Sequence, residues 1–416
     1  MSTSVETFRA ADPELAALPL DGRHVLIVVQ NLPVPFDRRV WLEARTLAAG
    51  GAHVSVICPQ MKGYTTARET IEGIDVYRHP LPVEADGALG YPAEYGISLF
   101  WQSRLAWKIY RERPFHVIHA CNPPDLGFLL AKQFRGRGVR YLFDHHDINP
   151  ELFETKFGKR GIVWKAVCAV EKANFRAADV TIATNESYRD IAVARGGLAP
   201  ENVFVVRSGP DLSKVKKVTP NPDWKKGRQY LLGYVGVMGE QEGIDLLLEA
   251  LDELVNVRAR KDIQTVLIGS GPALEDMKAM AARLGLADHV DFLGRAPDDV
   301  LFEVLSTADI CVNPDRVTPM NDLSTMNKIM EYMAMGKPIV QFDVREGRVS
   351  AEEASVYAKA NDPVDFANHI ESLLADPEKR ARMGQFGERR VHDKLSWETQ
   401  IGSLLAAYRK IFTLSV

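Results

Sequence analysis

A chain of 416 residues exceeds one hydrophobic core and predicts two domains of ordinary size. Its 46% hydrophobic and 25% charged residues mark ordinary globular material, and a formal net charge of −4 speaks against a general nucleic-acid binder, which needs a basic excess. No run approaches the roughly eighteen apolar residues of a membrane span, and the polar N-terminus has no signal-like apolar core. The four cysteines, Cys58, Cys121, Cys168 and Cys311, show no C-x-x-C spacing. They read as the reduced thiols of a cytoplasmic protein.

Residues 1–20 read as an N-terminal extension. Beyond them, short β-branched runs alternate with helical stretches. Strands are expected at His24–Val29, His53–Cys58, Ile74–His79, His116–Ala120, Arg140–Phe143, Val180–Ala183 and Val203–Val206, then at Tyr230–Val235, Gln264–Ile268, Val290–Leu293, Ile310–Asn313 and Pro338–Phe342. This alternation predicts an α/β protein of two doubly wound parallel-sheet, Rossmann-like domains, at 21–210 and 229–395. Residues 211–228, rich in Pro, Gly and Lys, read as a solvated linker, and 396–416 as an amphipathic C-terminal helix. Ligands in such folds bind at the carboxyl edges of the sheets, so a cleft between the two edges is the expected site.

In the first domain, Q-N-L-P-V-P-F-D-R-R places Asp37 as the N-cap of a helix and Arg38 and Arg39 in its first turn. Two cations there oppose the helix dipole unless they meet an anion, so they are candidates for a phosphate or acceptor, against a reading as surface arginines. In H-A-C-N-P-P-D, Asn122 and Asp125 are polar candidates at a strand exit for acceptor or donor contacts. The run D-H-H-D, Asp144–Asp147, leaves three readings open: a metal site, a structural turn, or contact of His146 with a ligand, steered by Asp144 or Asp147. Thr155–Ala178 carries six Lys or Arg and one Glu among apolar residues, which fits either peripheral contact with an anionic membrane or a core helix.

In the second domain, Y-V-G-V-M-G-E-Q-E-G ends a strand where Gly236 and Gly239 would let backbone approach a phosphate. V-L-I-G-S-G-P, with Gly269, is a tight βα turn and not a dinucleotide fingerprint, since G-x-G-x-x-G fails at Leu274. V-D-F-L-G-R carries Gly294 at the next strand exit. Most informative is N-D-L-S-T-M-N-K-I-M-E-Y-M-A-M-G-K-P-I-V from Asn321. A helix over Ser324–Met335 would put Ser324, Lys328, Glu331 and Met335 on one face above a helix N-terminus that attracts phosphate. The alternative is a solvated face with a weak Lys328–Glu331 pair.

The segment E-Y-M-A-M-G-K-P-I-V resembles the E-A-M-A-x-G-x-P-V-V signature of family 4 of the retaining glycosyltransferases, which have the GT-B fold. The resemblance implies that Glu331 holds the donor ribose, and that an acid eight residues earlier faces the donor sugar. That position is Leu323, so Asp322, one residue before it, is the candidate. The glycine loop resembles V-G-R-x-x-x-x-K-G, whose two cations neutralise the donor diphosphate. Here they are replaced by Val237 and Glu242, which leaves Lys328, Arg38 and Arg39 as substitutes, beside Ser324 and Thr325. Gly269 would lie below the nucleotide and Gly294 at the strand end that reads the base. His146 and Asp147 match a pair that contacts the donor sugar. P-F-D-R-R and N-D-x-S-T-M-N-K are similar to motifs of bacterial surface-polysaccharide transferases.

The resemblance thus implies a retaining enzyme with no cofactor or metal, moving sugar from a nucleotide-diphosphate sugar to a saccharide or lipid-linked acceptor, on the cytoplasmic side of a membrane. The catalytic candidates are Asp322 and His146. Two rivals stand beside it: a non-catalytic GT-B subunit that supports a partner enzyme, and a phosphorylase or synthase that takes free phosphate on Arg38 and Arg39.

Overall fold

The computed structural model describes residues 20–81, 90–158 and 160–414, so the expected N-terminal extension, apart from Leu20, lies outside the described residues, as does Lys159. The chain divides into two compact units. The first runs to Ser208 and resumes at Gln400, and the second spans Gly209–Thr399.

The first unit is built on β1 His24–Val28, β2 His53–Pro59, β3 Arg68–Ile71, β4 Ile74–His79, β5 Val117–Cys121, β6 Arg140–His145, β7 Val180–Ala183 and β8 Val203–Val205. Across the sheet the order is β3-β4-β2-β1-β5-β6-β7-β8, and every pairing is parallel except the β3–β4 hairpin. Central strands such as H-V-L-I-V and V-I-H-A-C are buried at every position, as parallel strands covered on both faces should be. The sequence pattern misses β3. R-E-T-I is a polar edge strand with no fully buried residue, so it offers no apolar run to read.

The second unit carries β9 Tyr230–Val235, β10 Ile263–Ile268, β11 Val290–Gly294, β12 Ile310–Asn313, β13 Ile339–Phe342 and β14 Ser355–Ala358. They form one parallel sheet in the order β11-β10-β9-β12-β13-β14. The direction of winding reverses between β1 and β5 in the first unit, and between β9 and β12 in the second. At such switch points the exiting loops part and leave a crevice at the carboxyl edge.

Three local expectations are corrected. Residues 211–228 are largely exposed, as expected, but they belong to the second unit and are tied to it instead of standing apart as a linker. The Trp224 indole donates to Glu303 at 2.7 Å, Lys225 meets Asp309 at 2.8 Å, and the Val218 and Asn221 amides donate to the Ser306 and Thr307 hydroxyls at 3.1 and 2.9 Å. These four polar groups find their partners in or just beyond helix Asp298–Thr307.

The single helix expected over Ser324–Met335 is two, Pro319–Leu323 and Asn327–Ala334, with Ser324 extended at φ −95°, ψ 136° between them. The Ser324 hydroxyl donates to the Met320 carbonyl at 2.8 Å, the local side-chain bonding through which serine and threonine compete with a continuous helix. Lys328 and Glu331 keep a common face; Ser324 and Thr325 leave it, and Met335 is buried in the core.

The basic stretch 155–178 is likewise not one helix. A first helix ends at Phe157, capped by Gly158 at φ 64°, and a second runs Ile162–Ala177.

Helix Trp397–Thr413 closes the chain. Its Ser403 hydroxyl donates to the Val205 carbonyl at 2.6 Å and its Tyr408 hydroxyl pairs with His119 Nδ1 at 2.9 Å. Among the described residues no helix is long and apolar enough to cross a membrane. Cys58, Cys121, Cys168 and Cys311 are all free.

Candidate functional site

In the first unit the helix Arg38–Ala49 begins where expected, with the Asp37 carboxylate accepting from the Val40 amide at 3.1 Å. Arg38 is exposed. Arg39 turns inward, and this corrects its reading as a cation for phosphate or acceptor. Its guanidinium lies 2.9 Å from Asp144 Oδ1 and 3.1 Å from Glu43 Oε1, and donates to the Val206 carbonyl at 2.7 Å and the Ser208 hydroxyl at 3.2 Å. The anion that an arginine in this first turn needs is therefore internal.

Asp144 is the hub of a buried cluster. His146 Nε2 lies against its carboxylate, His119 Nε2 stands 3.4 Å away and Cys121 Sγ 3.6 Å. Burial alone would push the Asp144 carboxyl up, but Arg39 and His146 outweigh it and hold the group well below the usual range. Glu43 shows the converse: burial, then the neighbouring Asp144 charge, pushes it well above that range. One carboxylate is thus held charged and the other is pressed to keep its proton. Glu43, His119, Cys121 and Asp144 bring four ligand-type atoms within 4.8 Å of one another, a set with the right chemistry for a metal ion. Arg39 already supplies positive charge between the two carboxylates, so the set is accounted for as a charge network. His146, with 13% of its side chain exposed, is where this network reaches solvent.

Asn122 and Asp125 are scaffold, which corrects their reading as acceptor contacts. The Asn122 side chain donates to Asp125 at 2.9 Å and to the Asp147 carbonyl at 2.7 Å, and accepts from the His146 and Asp147 amides at 2.7 and 3.1 Å. It pins the D-H-H-D loop and has no capacity left for a ligand. Asp125 also accepts from Asn149 at 2.6 Å, and burial pushes it up to about 6. His145 faces the other way, among Phe143, Phe175 and Tyr188, and burial brings it down to about 3, a neutral core imidazole.

In the second unit the glycines gather at the carboxyl edge of β9, β10 and β11. The Gly236 amide donates to the Ile268 carbonyl at 3.0 Å and the Gly269 amide to the Gly294 carbonyl at 2.8 Å. A Cβ on Gly269, at φ 144°, would collide with the Gly236 carbonyl, and Gly294 sits at φ 65°. Backbone packed on backbone therefore accounts for Gly269, and the Tyr234 hydroxyl that a Cβ on Gly236 would meet accounts for Gly236, both independently of a phosphate. The Gly239 amide is also occupied, donating to Glu242 Oε2 at 3.0 Å.

Lys328 stands at the β9–β12 switch point, its side chain reaching to Gly236. Its ammonium lies 2.8 Å from Asp315, just beyond β12, and 3.4 Å from the Tyr234 hydroxyl. Burial pulls the Lys328 pKa down, but Asp315 outweighs it and the net shift is upward, so the cation persists. Asp315 is buried, and its second oxygen has no hydrogen-bond partner among the described residues. Glu331 is half-buried one turn further along the Lys328 face. Asp322 is engaged by the protein itself, its Oδ1 accepting the Arg345 amide at 2.8 Å at the start of helix Arg345–Ala351.

Glu43, His119, Asp315 and Tyr408 escaped the sequence reading as members of these clusters. One signal was available: Glu43 follows Arg39 at i+4 on a helix, the spacing of an ion pair. Another was Asp315, two residues beyond a strand end in V-N-P-D.

Residues 37–209 match the family model described as "Glycosyl transferase 4-like domain", and residues 229–376 match "Glycosyl transferases group 1". The chain belongs to the group 1 glycosyltransferases. This glycosyltransferase is 24% identical over 385 residues to the 2-deoxystreptamine glucosyltransferase of Streptomyces kanamyceticus, spanning 88% of this chain and 97% of the relative. It is 30% identical over 228 residues to the D-inositol 3-phosphate glycosyltransferase of Geodermatophilus obscurus, spanning 51% of this chain and 48% of the relative. Among solved structures it resembles sucrose-phosphate synthase from Thermosynechococcus elongatus, with TM-score 0.77 at 20% identity, covering 94% of this chain and 100% of that one. Anabaena HepE in complex with UDP gives TM-score 0.69 at 16% identity, covering 93% and 99%. The fold is GT-B, with two parallel-sheet Rossmann-like domains.

Proposed function

We propose that this glycosyltransferase takes a nucleotide-diphosphate sugar as donor, binds its diphosphate at the β9–β12 switch point beside Lys328, and holds the ribose on Glu331. The carrying observation is the placement of a persistent cation against the Gly236 loop, with Glu331 on the same helix face. The UDP complex of HepE supports a nucleotide in a protein of this fold. Within the first unit His146, backed by Asp144 and Arg39, is the candidate for sugar contact that the family resemblance implies. Transfer would retain the anomeric configuration and need no metal, as the family resemblance implies.

Calorimetric titration with UDP, GDP and ADP, without divalent metal, tests the donor site. One nucleotide is expected to bind, and Glu331→Ala should weaken it by about 1.5–3 kcal/mol, the scale of a hydrogen bond to a charged group. Unchanged affinity in that variant would remove Glu331 from the site. The configuration of the product by NMR then decides retention. The second reading, a non-catalytic subunit, is favoured by Val237 and Glu242 standing where cations are expected. It gains if none of the three nucleotides binds.

We propose further that the acceptor is a surface-glycan precursor carried on lipid, met at the cytoplasmic face of a membrane. Ile162 and Val163, 88% and 58% exposed at the start of helix Ile162–Ala177, lie near the exposed Arg160 and Lys165. Exposed apolar side chains beside cations fit an anionic lipid surface. The protein should co-sediment with vesicles containing phosphatidylglycerol, and Ile162→Glu/Val163→Glu should abolish this. Equal sedimentation with neutral vesicles would count against it.

A further inference from the structure

We infer that Glu242 is an internal anion, seated on the phosphate-facing loop of the second unit and competing with the donor diphosphate for it; this rests on the donor site proposed above. Four of the loop's anion-seeking groups are engaged by the protein itself. Gly236 N–H donates to the Ile268 carbonyl and Met238 N–H to the Ser270 carbonyl, at 3.0 and 3.2 Å. The two interactions made with carboxylates are different in kind. Gly239 N–H donates to Glu242 Oε2 at 3.0 Å, and Lys328 Nζ pairs with Asp315 at 2.8 Å.

Glu242 is held at both oxygens. The Gln241 side chain donates to Oε1 at 3.2 Å while the Gly239 amide takes Oε2. A carboxylate that accepts from a glycine-loop amide near the half-buried Lys328 ammonium reproduces, with the chain's own atoms, what a phosphate oxygen would do there. The nearby Arg316 offers no compensation, because it pairs with Asp245 and donates to the Glu240 carbonyl at 3.1 Å.

The two carboxylates also differ in mobility. Asp315 is fully enclosed. Glu242 is half-buried on a single 3-10 turn, Glu240–Glu242, and can swing away without unfolding the unit. An incoming diphosphate would displace Glu242 from Gly239 and take over the Lys328 field, and the negative charge of Glu242 opposes that step. A neutral glutamine would keep the hydrogen bond to the loop and remove the repulsion.

The test is calorimetric binding of nucleoside diphosphates and the matching monophosphates to wild type, Glu242→Gln and Glu242→Lys, with and without Mg²⁺. Without metal, Glu242→Gln should bind its diphosphate at least tenfold more tightly than wild type and Glu242→Lys more tightly still, with less than a threefold gain for the monophosphate. If wild type binds and neither variant binds more tightly, the competition is absent while the donor site stands. A gain of equal size for the monophosphate also overturns it. Binding that requires Mg²⁺ and is lost in Glu242→Gln would make Glu242 a metal bridge and not a competitor. If no form of the protein binds any nucleotide, the donor site itself fails and the inference with it.

Discussion

Arg39→Ala should destabilise the first unit by about 3–5 kcal/mol near neutral pH, the cost of stranding a buried charge. The side chain removed lies within 3.1 Å of two carboxylates that are fully buried, Asp144 and Glu43. The pH dependence identifies the mechanism. Asp144 is held below its unfolded value, so its stabilisation is present above that value, near 3.9, and fades as pH falls through the folded one. Glu43 is held above its unfolded value, so its contribution is complete below about 4.3 and is lost as pH rises through the folded one. Without Arg39 both carboxylates favour their protons, and the deficit of the variant should shrink as the solution becomes acid. Glu43→Gln, which removes only the group pressed to stay neutral, should cost less than about 1 kcal/mol at neutral pH and gain on wild type as pH rises. Calorimetric unfolding of the three proteins across pH measures this. A pH-independent deficit in Arg39→Ala would mean that lost packing, not stranded charge, is the cause.

Lys328→Met should have two effects of different origin. It strands Asp315, which is buried, and should lower the stability of the second unit by about 3–5 kcal/mol. It also removes the cation proposed for the diphosphate, and nucleotide affinity should fall at least tenfold. The double variant Lys328→Met/Asp315→Asn separates them. Neutralising both members of a buried pair costs far less than removing one, so stability should return while affinity does not. Recovery of both would leave Lys328 as a structural partner of Asp315, and the diphosphate would need another cation.

These two ion pairs explain what sequence reasoning could and could not reach. Arg39 was legible as a conflict, since a cation in the first turn of a helix needs an anion. Its anion is Asp144, 105 positions away, brought close only when β6 is placed near the start of that helix. Lys328 and Glu331 were legible by helical spacing, whereas the loss of Ser324 from their face turned on a local hydrogen bond to Met320 that spacing ignores. Asn122 looked like a ligand contact because it is polar at a strand exit. Its four hydrogen bonds to Asp125 and to the backbone of His146 and Asp147 make it a brace.

The sequence by itself determined the α/β class, the twelve expected strands, the two-domain count and the family resemblance. These follow from local periodicity and short contiguous motifs, which do not depend on distant partners. Tertiary structure alone decided which polar groups are free for a ligand and which are consumed within the protein. Buried donors, acceptors and charges must be satisfied by whatever the fold brings near. Arg39 was taken by Asp144 and Glu43, Gly239 by Glu242, and Lys328 by Asp315.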